Sequence, residues 1–260
     1  MQLLYNIDFE IAAALFLLFL AMYVHRQFDF AVQKNRLFYG LLLLVIAGNL
    51  LDVGTAITIS YGAVIPPMIN ALFNSLYLFV DMLMGFSFLA YVRCLERQYE
   101  NRFAKNSLVE WIAFGVYTLF LIVNLFTGLL FYFDETGNYI HGRAYLLVYV
   151  VPYAFFFGVA VMMIRYLKQF TRRQRFSIVL YVVVGAVGPV IQICFLPQVL
   201  LSVFSISLAI TIVLFSLETP EYRKLLETME ELKEAQQKAE DANEAKSRYI
   251  AHISHEVRTP

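Results

Sequence analysis

The stretch 37–59, LFYGLLLLVIAGNLLDVGTAITI, contains one charged residue, Asp52, and no lysine or arginine. A helix crosses about 30 Å of hydrocarbon with about 20 mostly apolar residues, so this run reads as a membrane span. Similar runs recur at roughly 8–24, 67–91, 109–131, 144–164, 177–195 and 198–217, which makes seven in all. The composition agrees, with 60% of the 260 residues hydrophobic and 15% charged, outside the range of a soluble domain.

Charge orients the spans, because short cytoplasmic loops retain Lys and Arg. Loop 25–36 carries Arg26, Lys34 and Arg36, loop 92–108 carries Arg93, Arg97, Arg102 and Lys105, and loop 165–176 carries Arg165, Lys168, Arg172, Arg173 and Arg175. The opposite side comprises the N-terminus, 60–66, 132–143 and the turn near Pro197, and it has only Arg143. The expected architecture is therefore an all-α seven-helix membrane bundle, residues 1–217, with the N-terminus outside and the C-terminus in the cytoplasm. Ile7–Val24 follows an acidic N-terminus and lacks a small-x-small cleavage pattern, so it is expected to be a retained helix rather than a signal peptide. Cys94 and Cys194 are too few for a disulfide framework, fall near opposite faces and are expected to be ordinary membrane-helix residues. The abundant Phe and Tyr suit lipid contact, with Trp111 and Tyr132 expected at the two ends of the fourth span.

No outer connection exceeds about a dozen residues, too short for a folded extracellular domain, so a stimulus would be received by the helices or their short outer links. Among acidic residues, only Asp52 and Asp81 are expected well inside the membrane, where ionisable groups are costly and usually face the bundle interior. Asn70, Asn74, Tyr77 and Asp81 are spaced 4, 3 and 4 and so share one helix face, and Asn49 and Asp52 are three apart. Asp52, Asn70, Asn74 and Asp81 are the sensor candidates, with Asp52, Asn70 and Asn74 expected to line an outer pocket. The plainer reading is that these groups hydrogen-bond between helices and only hold the bundle together. Pro66, Pro67, Pro152 and the Gly188-Pro189 pair mark kinks or helix ends. A retinal protein would need a membrane lysine, which the spans lack, and an intramembrane hydrolase would need a nucleophile and base at depth, whereas His25 and His141 lie in loops or at span ends.

After Leu217 the composition turns to Glu, Lys, Ala and Gln, and 17 of the 40 charged residues lie from Glu218 onward. Thr219-Pro220-Glu221 marks a joint, since proline suits a first helical turn. Tyr222, Leu225, Met229, Leu232, Gln236, Ala239, Asn243, Lys246, Ile250, Ile253 and Val257 then alternate by 3 and 4, the seam of a coiled coil and hence of a parallel homodimer. Glu234 with Lys238 and Glu244 with Arg248 support the helix. The seam is polar at its middle, as suits either a connector that shifts register or a spacer whose register polar residues fix. Residues 218–246 are read as a cytoplasmic coiled-coil linker.

The chain ends on Tyr249-Ile250-Ala251-His252-Ile253-Ser254-His255-Glu256-Val257-Arg258-Thr259-Pro260. This string resembles the H-box of bacterial sensor histidine kinases: aromatic, aliphatic, Ala, variable, aliphatic, Ser-His-Glu, aliphatic, Arg-Thr-Pro. Ser254 to Pro260 matches without a gap, while Tyr249 stands where Phe is commoner and His252 where Asn is common. In the heptad register His255 takes the outermost position, open to another domain. The resemblance implies that His255 accepts the γ-phosphoryl group of ATP, that Glu256 orients the imidazole and takes its proton, and that Thr259 positions water for removing phosphate from the partner regulator. It further implies ATP with Mg as cofactor, a response regulator as partner, membrane lipid around the bundle, and a place in the bacterial plasma (inner) membrane. No direct nucleic-acid contact and no resident metal are expected. Residues 247–260 would begin a phosphoacceptor domain that is incomplete here, and since they and the rest of the 260 residues hold no glycine-rich ATP lid and no Asp-rich receiver, the chain is expected to be either a fragment of a longer kinase or a truncated product. The alternative, from another class, is a membrane transporter or channel with a cytoplasmic dimerisation tail.

Overall fold

The computed structural model describes residues 3–96, 107–168, 170–218 and 220–258. These fall into two compact units, Met1–Leu217 and Glu218–Pro260. In the first, the helices are α1 (Asp8–Gln27), α2 (Gln33–Ser60), α3 (Pro67–Glu96), α4 (Ser107–Thr127), α5 (Leu147–Arg165), α6 (Arg172–Cys194) and α7 (Ser202–Val213). Six of them, α1 to α6, are long and apolar enough to cross a membrane, and the protein is a multi-pass, all-helical membrane protein. The last apolar helix is shorter, Ser202–Leu217, because its first turn starts only after Leu200 and Leu201 and its end passes into π-helical backbone at Leu214–Glu218.

The helices form a ring in which α2 lies between α1 and α3, α5 packs on α3, α6 on α5, and α7 closes against α6, α1 and α2. α4 lies outside the ring on α3. The buried face of α1 follows helical spacing, Glu10, Ala13, Ala14, Leu17, Ala21 and Val24, while Phe16, Phe19 and Met22 point outward. Across the ring the Phe88 ring stacks on Tyr181 with centroids 3.5 Å apart, joining α3 to α6. Asn49 Nδ2 donates to Ser207 Oγ at 2.8 Å and so ties α2 to α7. At the opposite end from the hairpin described below, the half-buried Arg93 and Glu110 pair α3 with α4.

Several ends move from their expected positions. The fourth span was expected to reach residue 131, yet α4 stops at Thr127. Gly128 there takes φ +62, a left-handed conformation that closes a helix. The apolar residues beyond it form a strand, β1 (Phe131–Phe133), paired antiparallel with β2 (Tyr139–His141). Tyr132 is thus on a hairpin, and only Trp111 lies on α4. A run of Phe and Tyr suits a strand as well as a helix, so composition alone could not place this boundary. α6 starts at Arg172, ahead of the apolar run, because Thr171 and Gln174 form a reciprocal capping box.

Four links lie together at one end of the bundle. Leu4 N–H donates to Ser60 Oγ at 3.0 Å and Asn6 N–H to Gln198 O at 2.8 Å. Gly137, at the hairpin tip, meets Gly62 in the α2–α3 turn so closely that a Cβ on Gly62 would lie 2.5 Å from Gly137 O. The N-terminal segment, the α2–α3 turn, the hairpin and the α6–α7 turn are therefore neighbours.

The second unit is one helix, α8 (Pro220–Arg258), of 39 residues. Glu244 and Arg248 approach to 3.9 Å on its surface, and Gln236 donates to Glu240 at 3.0 Å. Leu225, Met229 and Leu232 are exposed in the single chain.

Candidate functional site

The hairpin end of the bundle holds a cavity of about 410 Å³, lined by Asp52 and Thr55 from α2, Asn74 and Tyr77 from α3, Tyr139 and His141 from β2, Tyr145 and Tyr149 at the start of α5, and Gln192 from α6. A smaller recess of about 80 Å³ adjoins it, sharing Tyr77, Leu78, Val148, Tyr149, Pro189 and Ser202, and Asp81 lies in its wall. The volume of the larger cavity is within the range of small-molecule sites.

Helical geometry explains the acidic side. Asp52 and Thr55 are three apart on α2, so they share a face, and Thr55 Oγ1 donates to Asp52 O at 2.8 Å. Asp52 is only 5% exposed, and its Oδ2 has no hydrogen-bond partner among the described residues. Asn74 and Tyr77 are three apart on α3, facing it, and Asp81 follows one turn on. Asn74 Nδ2 donates to Asn70 O at 2.9 Å. Asn70 itself is fully buried but does not line the cavity. The shared stripe fixes a helix face, and what covers each turn of it is decided by the neighbouring chain.

The opposing wall is aromatic. The His141 ring stacks on Tyr145 with centroids 3.6 Å apart, Tyr139 meets Tyr145 edge-on at 6.3 Å, and Tyr145 meets Tyr149 edge-on at 5.5 Å. The Tyr145 and Tyr149 hydroxyls are hydrogen-bonded at 2.9 Å. Burial pushes the Tyr139 hydroxyl above its usual range, so it remains a neutral donor. The hairpin that carries this wall is anchored at both ends. Asn124 Oδ1, on α4, accepts from Leu130 N–H at 2.6 Å and Phe131 N–H at 3.1 Å. At the tip, Asp134 Oδ1 accepts from Thr136 N–H, Thr136 Oγ1 and Asn138 N–H at 2.9, 2.6 and 2.8 Å. Those bonds, that from the Thr136 hydroxyl first, hold the exposed Asp134 carboxyl down at about 2. On the far side Gln192 Oε1 accepts from Leu201 N–H, Ser202 N–H and Ser202 Oγ at 2.8, 3.0 and 2.9 Å, which caps α7.

One buried acid was not among the expected ones. Glu10 on α1 is fully buried, with neither carboxyl oxygen hydrogen-bonded among the described residues, and it lies within electrostatic reach of Asp52. The signal for it was present: Glu10 continues the helical stripe Ala13, Ala14, Leu17 and Ala21 that turns inward. Tyr139 and His141 had no such signal, since they belong to a loop whose hairpin form depends on α4 and the α2–α3 turn, and Tyr145, expected inside the fifth span, lies in the turn just ahead of α5. Asn49 is a tie between helices rather than part of the cavity.

In the second unit the helical backbone of α8 runs through His255 and Glu256, while Thr259 lies outside the described residues. Among the described residues no group of three or more His, Cys, Asp or Glu could hold a metal ion. Comparison with known proteins finds no match for the chain among protein families, curated proteins or solved structures.

Proposed function

We propose that the protein is the membrane and phosphoacceptor portion of a bacterial sensor histidine kinase, with seven spans, the N-terminus outside, and the hairpin-end cavity facing the exterior as the receptive site. The observation that carries the reading is the unbroken string Ser254-His255-Glu256-Val257-Arg258-Thr259-Pro260 at the end of a long charged helix. The segregation of basic residues supports the orientation, since the four links that meet at the cavity end hold only Arg143. α7, as a short seventh span, then delivers the chain to the cytoplasmic side. Two copies pair through the seam of α8, which leaves His255 outermost.

In this reading a nucleotide-binding domain beyond these 260 residues presents ATP with Mg²⁺. The neutral imidazole of His255 attacks the γ-phosphorus, the bond to the ADP oxygen breaks, and Glu256 takes the imidazole proton. Phosphoryl transfer then follows to an aspartate of a response regulator, with Thr259 positioning water for the separate hydrolysis of that aspartyl phosphate to inorganic phosphate.

The test is phosphoryl transfer in mixed dimers. The chain in nanodiscs is combined with a kinase-competent chain that lacks its own acceptor, labelled ATP is added, and wild type is compared with His255→Gln and His252→Gln. Label is expected on wild type and His252→Gln and absent from His255→Gln. Absence of label from wild type, in mixed dimers that transmit phosphate to an intact acceptor, would remove the kinase reading and favour a transporter or channel with a dimerising tail.

A further inference from the structure

We infer that the hairpin-end cavity binds a small organic cation: an ammonium group attached to an aromatic or aliphatic body. This deepens the sensor reading and rests on it only for the signalling consequence of binding. Asp52 lines the cavity and is 5% exposed, and its Oδ2 is buried without a hydrogen-bond partner among the described residues. Asp81 lies in the adjoining recess and Glu10 within electrostatic reach. Among the described lining residues of both spaces there is no Lys or Arg, and His141, stacked on Tyr145, is the one group able to carry positive charge.

An acidic group without a counter-charge at this depth is costly, and a bound ammonium offsets that cost directly. The facing rings point the same way. Tyr77, Tyr139, Tyr145 and Tyr149 line one space, and aromatic rings attract ammonium groups most strongly where water is excluded. The occupant is organic rather than a bare metal ion, because the described residues offer no cluster of metal ligands. Leu78, Val148, Ile193 and Leu200 also supply an apolar wall suited to a hydrocarbon body, and about 410 Å³ exceeds what a simple ion needs.

The experiment is calorimetric titration of the full chain in nanodiscs, with empty nanodiscs subtracted to remove lipid partitioning. The probes are phenethylammonium, benzyltrimethylammonium, the neutral 2-phenylethanol and the anion phenylacetate. Saturable binding of at least one cation is expected, with the neutral compound about tenfold or more weaker, as loss of an ion pair in a desolvated site requires, and the anion inert. Asp52→Asn weakens the cation about tenfold, and Tyr149→Leu weakens it while Tyr149→Phe, which keeps the ring, stays within about threefold. The tyrosine pair carries the test if Asp52→Asn does not fold. The inference is overturned if neither cation saturates, if 2-phenylethanol binds as tightly as the cations, or if Tyr149→Leu and folded Asp52→Asn bind like wild type. His255→Gln separates the two readings, since cation binding should persist in it. Binding without phosphoryl transfer in wild type would sink the kinase reading alone, and phosphoryl transfer without binding would sink this one alone.

Discussion

At Asp134 one carboxylate organises a whole turn, accepting from Thr136 and Asn138 as the hairpin reverses. Its folded value is depressed from 3.8 to about 2, so its contribution is complete above the unfolded value and is lost as pH falls through the folded one. The amide resonances of Thr136 and Asn138 should therefore hold their positions from neutral pH to about 4 and shift only as pH approaches about 2. A midpoint near 4 would mean that the turn does not use this carboxylate. Asn49 acts at the same scale. Asn49→Ala removes its bond to Ser207, and interhelical hydrogen bonds inside membranes contribute about 0.6 to 1.7 kcal/mol. The melting temperature in detergent should fall by a few degrees, roughly 2–4 °C per kcal/mol for a domain of this size, with cation binding retained.

The hairpin is an element whose position depends on two glycines. Gly137 takes φ +84, and a Cβ there would lie 2.2 Å from Gly62 C, so the hairpin tip and the α2–α3 turn approach backbone to backbone. Gly137→Ala adds about 1–2 kcal/mol of left-handed strain to that overlap, and Gly62→Val adds the overlap alone. Both should raise the rate of protease cleavage in 131–141 and weaken whatever the cavity binds, while leaving helix content by circular dichroism unchanged. Equal protease resistance in both variants would show that this contact does not dock the hairpin. At the other end of the first unit, Leu214–Glu218 is π-helical and Arg173 Nη2 donates to Phe215 O at 3.3 Å. Pro220 has no N–H to offer the carbonyl five residues back, and the guanidinium supplies a donor to it.

For the whole molecule, the ring of helices and the gathering of four links at one end predict a single sidedness. With Cys94 and Cys194 replaced by Ser, Glu135→Cys should react with a membrane-impermeant thiol reagent on intact cells, and Lys168→Cys only after permeabilisation. The reverse pattern would invert the orientation, and equal labelling of both positions from outside would mean that α5 does not cross the membrane.

The membrane class and the existence of the long apolar helices were determined by the sequence alone. Hydrocarbon offers the backbone no hydrogen bonds, so each crossing must be a local helix of about 20 apolar residues. The pairing of Asp52 with Asn74 and Tyr77 was partly legible, because spacings of three and four fix a helix face. Only the tertiary structure decided that Asn70 lies outside the cavity, that Glu10 is buried within electrostatic reach of Asp52, and that apolar residues after Gly128 turn into a strand. It also brought Tyr139, His141 and Tyr145 across to face Asp52. Those positions depend on contacts between segments far apart in the chain, Asn124 with Leu130 and Gly62 with Gly137 among them. Local periodicity specifies which face of an element is apolar, whereas the partner of that face is chosen by packing and loop closure across the whole bundle.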